Sequence, residues 1–210
     1  MASNNYNSLA KIYDGLSRII FGEAIVRAQV KTLQYLTANS CILIAGGGTG
    51  WILEEISKIY SGGLLIFYVE KSPEMVKLAK KRNYKNNCVH FVETEIENFE
   101  TDIKFDAILT FFLFDNFPET KAKIVFEKLD ALLKKNGVWL FSDFIYDKKK
   151  SPLWQKCVLK IMYLFFRLTT KIETTGLVNM ESHFEKNFKS VNEFFLYAGF
   201  IKSVVYEKTI

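Results

Sequence analysis

Four carboxylates and one run of glycines supply the residue types from which a site could be built: Glu70, Glu95, Asp115 and Asp143, with Gly46, Gly48 and Gly50. The glycines alternate within CILIAGGGTGW, Cys41 to Trp51, behind an apolar run and ahead of an amphipathic run that opens at Ile52. Strand, glycine turn and helix start in that order can floor a site for a nucleoside cofactor. The spacing differs from GxGxxG, whose third glycine lets the helix pack close and aims its N-terminus at a pyrophosphate. Here the bulky Trp51 follows the GxGxG. At an offset of roughly twenty residues, LLIFYVE ends in Glu70. An ionised carboxylate at a strand end offers two acceptor oxygens, matching the two donors of a ribose diol. A helix start, Ser72-Pro73-Glu74, follows at once.

Around these residues the chain must fold a single α/β domain. It has 210 residues, 49% of them apolar, and no Pro/Gly/Ser-rich linker. Three widely spaced cysteines, Cys41, Cys88 and Cys157, do not suggest a disulfide framework, and no secretory leader pattern opens the sequence. A reducing cytoplasm is the expected setting. The apolar run Cys157 to Leu168 is interrupted by Lys160 and Arg167 and is too short to span a bilayer. The net charge of +5 is dispersed, and the runs at Lys77, Lys80, Lys81, Arg82 and at Lys148 to Lys150 read as solvated faces before nucleic-acid sites.

The periodicity predicts two N-terminal helices between Asn4 and Leu36 with a break near Gly22, then a strand from Cys41. A helix follows over Trp51 to Tyr60, with Ile52, Ile56 and Ile59 inward, then a strand over Leu64 to Glu70 and a helix over Pro73 to Arg82. Strands follow at Cys88 to Val92, Phe105 to Phe111 and Val138 to Ile145. The helix Glu119 to Lys135 is expected to stop at Asn136-Gly137. An aromatic stripe around Trp154, Val158, Ile161 and Phe165 predicts a helical cap over the strand ends, within 146–178. A helix over Met180 to Phe188 and a hairpin of Val191 to Tyr197 with Phe200 to Lys208 complete the reading.

The ordered set GxGxG, acid after the second strand, acid after the third and glycine before the fifth resembles class I S-adenosylmethionine (SAM) dependent methyltransferases of the quinone and sterol type. That resemblance covers Leu43 to Asp143, with a weaker match at Tyr13-Asp14, where such enzymes often close a helix over the cofactor. It implies a Rossmann-like doubly wound sheet of seven strands ending in an antiparallel hairpin, with SAM as cofactor. It implies cofactor contacts at Gly46, Gly47, Gly48, Gly50, Glu70, Lys71, Glu95, Ile96, Phe111 and Tyr13, with Glu95 on the adenine amine and Ile96 beside the ring. Tyr13 and Asp14 can equally be a core tyrosine and a cap.

The family's reaction is an in-line methyl transfer that needs alignment and exclusion of water, and a base only where the acceptor must lose a proton. Asp115, Asp143 and His183 are the candidates, while His90 reads as structural. No zinc spacing exists and no metal site is assigned, while a catechol-type magnesium site using Asp143 and Asp115 stays open with nothing specific to support it. The acceptor implied is a small, apolar or amphipathic molecule. The sequence departs from the family at Ile44, where an acid usually lies near the cofactor's ammonium. A SAM-binding protein without turnover therefore stays open, beside an NAD(P)-dependent oxidoreductase. An RNA methyltransferase is a further reading, which the absence of the (D/N)PP(Y/F) and Pro-Cys signatures weakens.

Overall fold

The computed structural model describes residues 21–146, 151–169 and 176–210. Tyr13, Asp14 and the basic run 148–150 lie outside them. Seven strands form one sheet: β1 (Cys41–Ala45), β2 (Gly62–Glu70), β3 (Asn86–Glu93), β4 (Phe105–Phe111), β5 (Leu133–Phe144), β6 (Phe188–Leu196) and β7 (Ile201–Lys208). Their order is β3-β2-β1-β4-β5-β7-β6, with β7 antiparallel to both of its neighbours. The chain winds from β1 out to β3 and then returns to the other side of β1 as β4. That reversal opens a crevice at the carboxyl ends of β1 and β4, where ligands of open α/β sheets lie.

The helices are α1 (Ala24–Leu33), α2 (Trp51–Ile59), α3 (Pro73–Ala79), α4 (Glu119–Leu132), α5 (Leu153–Thr169) and α6 (Glu181–Phe184). β1 is covered on both faces, which is why CILIA is a continuous apolar run. On one face Leu43, Ile108, Phe126, Trp139 and Val204 share a core; on the other, Ile42, Ile44, Ile52, Ile56 and Leu140 do. Trp139 is fully buried, stacks on Phe126 and donates its indole N–H to Thr110 Oγ1 at 2.8 Å. The expected C-terminal hairpin is present as β6-β7, its first strand starting at Phe188 rather than Val191, and α5 lies within 146–178.

Several boundaries differ from the sequence reading. The helix expected to run to Lys135 stops at Leu132, because Leu133 pairs with Phe105 and joins β5. Asn136-Gly137 is therefore no helix cap but an irregularity inside the strand pair, between Leu133 and Val138. Asn136 is left-handed there, and a Cβ on Gly137 would fall 2.9 Å from the Lys134 carbonyl and 3.0 Å from that of Asp106. The helix expected over Met180 to Phe188 is a single turn, since Phe188 starts β6 and packs edge-on against Phe184 and Trp139. Ile59, expected inward, is 48% exposed, and Ile52, Leu53 and Ile56 form the buried stripe of α2. α3 ends at Ala79 rather than Arg82, and β3 extends to Asn86 and Glu93.

Candidate cofactor and acceptor site

The glycine turn joins β1 to α2 by three left-handed residues, Gly46 (φ 70°), Gly48 (φ 63°) and Gly50 (φ 78°). L-residues avoid that region, which is the reason for the alternation. Gly47 is required for another reason. A Cβ there would lie 2.1 Å from Cζ of Tyr68, whose ring is fully buried beneath the turn and whose hydroxyl donates to the Gly48 carbonyl at 2.8 Å. The amides of Gly46 and Gly47 both donate to the Val69 carbonyl, at 2.9 and 3.3 Å, so the turn is sewn to the end of β2. Arg82 closes its far side, donating Nε–H to the Thr49 carbonyl at 3.1 Å. Tyr68 and Arg82 were not singled out from the sequence. An aromatic residue two positions before the strand-end acid was the available signal for Tyr68.

Glu70 ends β2 and is only 8% exposed. Its Oε2 accepts the Gly48 amide at 3.0 Å, and its Oε1 accepts the Ser72 amide at 2.9 Å. Each oxygen keeps a second lone-pair direction, so a carboxylate oriented in this way can still accept from a ligand's hydroxyl pair. Ser72 in turn caps α3, its Oγ accepting the Met75 amide at 3.3 Å. Above Gly48 the space is open, with nothing within 4 Å of a Cβ built there. A cradle of backbone groups, an oriented carboxylate and open space over the turn fit the nucleoside part of SAM.

Of the other sequence candidates, Lys71 is exposed beside Glu70, and Glu95 is exposed just before the 3-10 turn Ile96–Asn98. Ile96 is buried in the core with Ala45 and Val69. Phe111 is half-buried at the end of β4. Ile44 is buried among Leu33, Ile52 and Leu109. Its surroundings are apolar, so this position supplies no charge to the site. His90 is stacked on Phe67 at 5.1 Å. His183 stands edge-on to Phe126, in the aromatic cluster around Trp139. Tyr13 lies outside the described residues.

The carboxyl ends of β4 and β5 bring together two acids that the sequence offered separately. Asp115 and Asp143 are 7% and 6% exposed. Burial pushes the Asp115 carboxyl well above the usual carboxylate range, and the neighbouring Asp143 charge raises it further. Burial also pushes Asp143 up to about 7, against the Phe144 amide that donates to it at 2.8 Å and the nearby amides of Asp115 and Phe114. Two carboxyls in one dry place cannot both ionise readily. The exit of β4 has an unusual backbone as well, because Phe112 is left-handed at φ 53°. Leu113, next in the chain, reaches back to the glycine turn, its Cδ1 2.7 Å from where a Gly46 Cβ would stand.

Beyond this turn the cap begins. Phe21, Phe144, Leu159, Phe200 and Ile201 form a buried cluster, with Phe112 and Tyr197 packed against it. Trp154 of α5 meets Tyr197 and Phe200 edge-on at 5.4 and 6.0 Å. Among the described residues no three His, Cys, Asp or Glu side chains gather as a metal site, and no helix is long and apolar enough to cross a membrane.

A sheet of this order, with a glycine turn and a strand-end acid at its switch point, is the fold shared with solved S-adenosylmethionine-dependent methyltransferases. Residues 42–137 match the methyltransferase domain family model. An uncharacterized methyltransferase of Bacillus mycoides (strain KBAB4) is 26% identical over 155 residues, which are 70% of this chain and 68% of that protein. Among solved structures, an S-adenosylmethionine-dependent methyltransferase from Clostridium acetobutylicum ATCC 824 aligns with a TM-score of 0.63 at 14% identity, covering 99% of this chain and 100% of that one. The 1,6-didemethyltoxoflavin-N1-methyltransferase of Burkholderia thailandensis, solved with its acceptor and S-adenosylhomocysteine, aligns at 0.62 and 16% identity over 98% and 87%. These matches point to a methyltransferase domain, and the neighbour with bound S-adenosylhomocysteine has the same fold.

Proposed function

We propose that this single domain methylates a small, apolar or amphipathic acceptor held between the carboxyl ends of β4 and β5 and the cap helix α5. The observation that carries the cofactor half is the fastening of Glu70 by the Gly48 and Ser72 amides beneath open space. Glu70 would accept from the ribose hydroxyls, Glu95 from the adenine amine, and Ile96 would support the ring. Gly46 to Gly50, Lys71 and Phe111 would line the rest, with Tyr13 as a candidate lid. The aromatic cluster of Phe21, Phe144 and Phe200, with Trp154 and Phe112 packed around it, supports an acceptor with apolar surface.

The donor supplies an electrophilic methyl on a sulfonium, and its sulfur leaves as a neutral thioether. The residues of this chain align the two reactants and keep water out. Where the acceptor carries a proton, Asp143 or Asp115 is the nearby group able to take it. The three cysteines are free, which supports a reducing cytoplasm as the working compartment. The basic side chains of α3 and its exit are an exposed, dispersed face, which supports a small acceptor over RNA.

Isothermal titration with SAM, S-adenosylhomocysteine and NADH tests the reading, run beside Glu70→Ala. Micromolar binding of both sulfur ligands, lost in the variant, is expected. Binding of NADH alone would return the oxidoreductase, and SAM binding with no transfer to any of a broad acceptor panel would leave a SAM-binding module, as Ile44 allows.

A further inference from the structure

A helix that covers a domain turns its apolar side chains inward and its polar ones out. The first half of α5 reverses that pattern. Gln155 is 3% exposed, on the inner face with Leu159 one turn on, and its Nε2 donates to the Ala198 carbonyl at 3.4 Å. Leu153 and Ile161 are 80% and 52% exposed, and Trp154 keeps an open side although its ring meets Tyr197 and Phe200 edge-on. At roughly 3.6 residues per turn, Leu153, the exposed Cys157 and Ile161 share one outward stripe with Trp154 at its border. A stripe of this kind on a surface marks contact with something apolar.

The charge around the stripe has one sign. Lys156 and Lys160 are exposed and line the flank opposite Trp154. Between Asp147 and Glu173 the sequence holds seven Lys and Arg and no acid. A nucleic acid would match the lysines but not the leucine and isoleucine beside them. A second copy, related by a two-fold axis, would bring the same cationic flank against itself. An anionic bilayer meets both features, because its headgroup and acyl boundary takes leucine, isoleucine and an indole edge while its phosphates take lysines whose stems lie along the apolar surface.

We propose that the outer face of α5 docks this protein on an anionic lipid bilayer, with Leu153, Trp154 and Ile161 in the headgroup and acyl boundary and Lys156 and Lys160 on the lipid phosphates. The inner face of the same helix carries Leu159 into the cluster of Phe144 and Phe200, so docking sets the acceptor side about one helix diameter, ~10 Å, from the membrane. The docking stands on α5 alone. Only its corollary, that the acceptor is a membrane-resident amphiphile, rests on the function proposed above.

The test is flotation of the full chain with vesicles of mixed phosphatidylglycerol and phosphatidylcholine, beside vesicles of phosphatidylcholine alone, with a thermal melt of each variant. Binding to the anionic vesicles is expected, weakened by salt and slight on the neutral ones. Lys156→Gln with Lys160→Gln should weaken it about thirtyfold, each charge near such a surface being worth about fivefold. Leu153→Asp with Ile161→Asp should weaken it at least as far, and the melts should match wild type because these side chains are exposed. Brominated acyl chains should quench the wild-type fluorescence, and Trp154→Phe should remove most of that quenching, since Trp139 is fully buried. A wild-type chain that ignores anionic vesicles overturns the docking, as does binding that survives Leu153→Asp with Ile161→Asp, which is charge attraction alone. A dimer that this pair breaks, without vesicle binding, gives the face to a second copy and overturns it too. Titration with S-adenosylhomocysteine separates the two readings: that ligand bound without vesicles leaves the function and removes the docking, and vesicles bound without that ligand do the reverse.

Discussion

The two halves of the crevice place their acids in opposite ways. At the end of β2, Glu70 is met by two amide donors and stays oriented toward open space. At the ends of β4 and β5, Asp115 and Asp143 share one dry enclosure, and burial outweighs the amides that face Asp143. One acid is oriented by amides and keeps lone pairs free to accept. The others are pushed by burial toward the protonated, neutral form. The cofactor half is thus built from backbone geometry, whereas the acceptor half is built from desolvation and aromatic packing.

The largest expected effect lies in the acceptor half. Both carboxyls are raised above their unfolded values, so the folded chain holds protons that the unfolded chain releases. Stability should therefore be greatest below about pH 4, as far as these groups decide it, and fall as pH rises toward about 7. Each tenfold difference in proton affinity between the folded and unfolded chain is worth about 1.4 kcal/mol, so Asp143 contributes a decline of up to about 4 kcal/mol. Urea midpoints measured across that window should slope downward, and Asp143→Asn should flatten the slope. An unchanged slope would remove the contrast between the halves.

In the cofactor half, Glu70→Ala should come next. Losing two charge-assisted contacts to the ribose, at about 1.5 kcal/mol or more each, predicts a loss of SAM affinity of roughly a hundredfold. Calorimetry reads it directly, and Glu70→Gln should retain a measurable part of the binding. Gly47→Ala follows. Its Cβ cannot coexist with the Tyr68 ring where it stands, so about 1–3 kcal/mol of overpacking is expected as a lowered urea midpoint. Pairing it with Tyr68→Leu should recover part of that loss. Tyr68→Phe is the mildest change, removing one hydrogen bond to the Gly48 carbonyl and costing about 1 kcal/mol. SAM affinity that falls further for Tyr68→Phe than for Glu70→Ala would mean that the hydroxyl, and not the acid, governs the floor.

What the sequence made legible follows the same division. GxGxG and the strand-end Glu70 could be read because a left-handed backbone and a strand terminus dictate residue types locally. The hairpin could be read from its β-favouring runs. The meeting of Asp115 with Asp143 could not, since it depends on where two separate strands stop. Neither could the role of Gly47, which is set by a tyrosine on another strand. Local signals also misled where tertiary pairing won. Lys134 to Gly137 has the composition of a helix end, but Leu133 gains a partner in Phe105 and leaves the helix first. Phe188 leaves its expected helix because the rings of Phe184, Trp139 and Tyr206 receive it.

The position of β7 has a consequence for how this chain comes off the ribosome. β7 follows β6 in sequence but inserts between β6 and β5, so β5 has no partner on that side until residues 201–208 arrive. Until then Leu140, Phe141 and Phe144 stand beside a row of unpaired backbone donors and acceptors, which is the template on which nascent chains pair with one another. Closing it requires a pairing distant in sequence and therefore slow. Of these seven strands, the one made last is the one that covers the edge of β5.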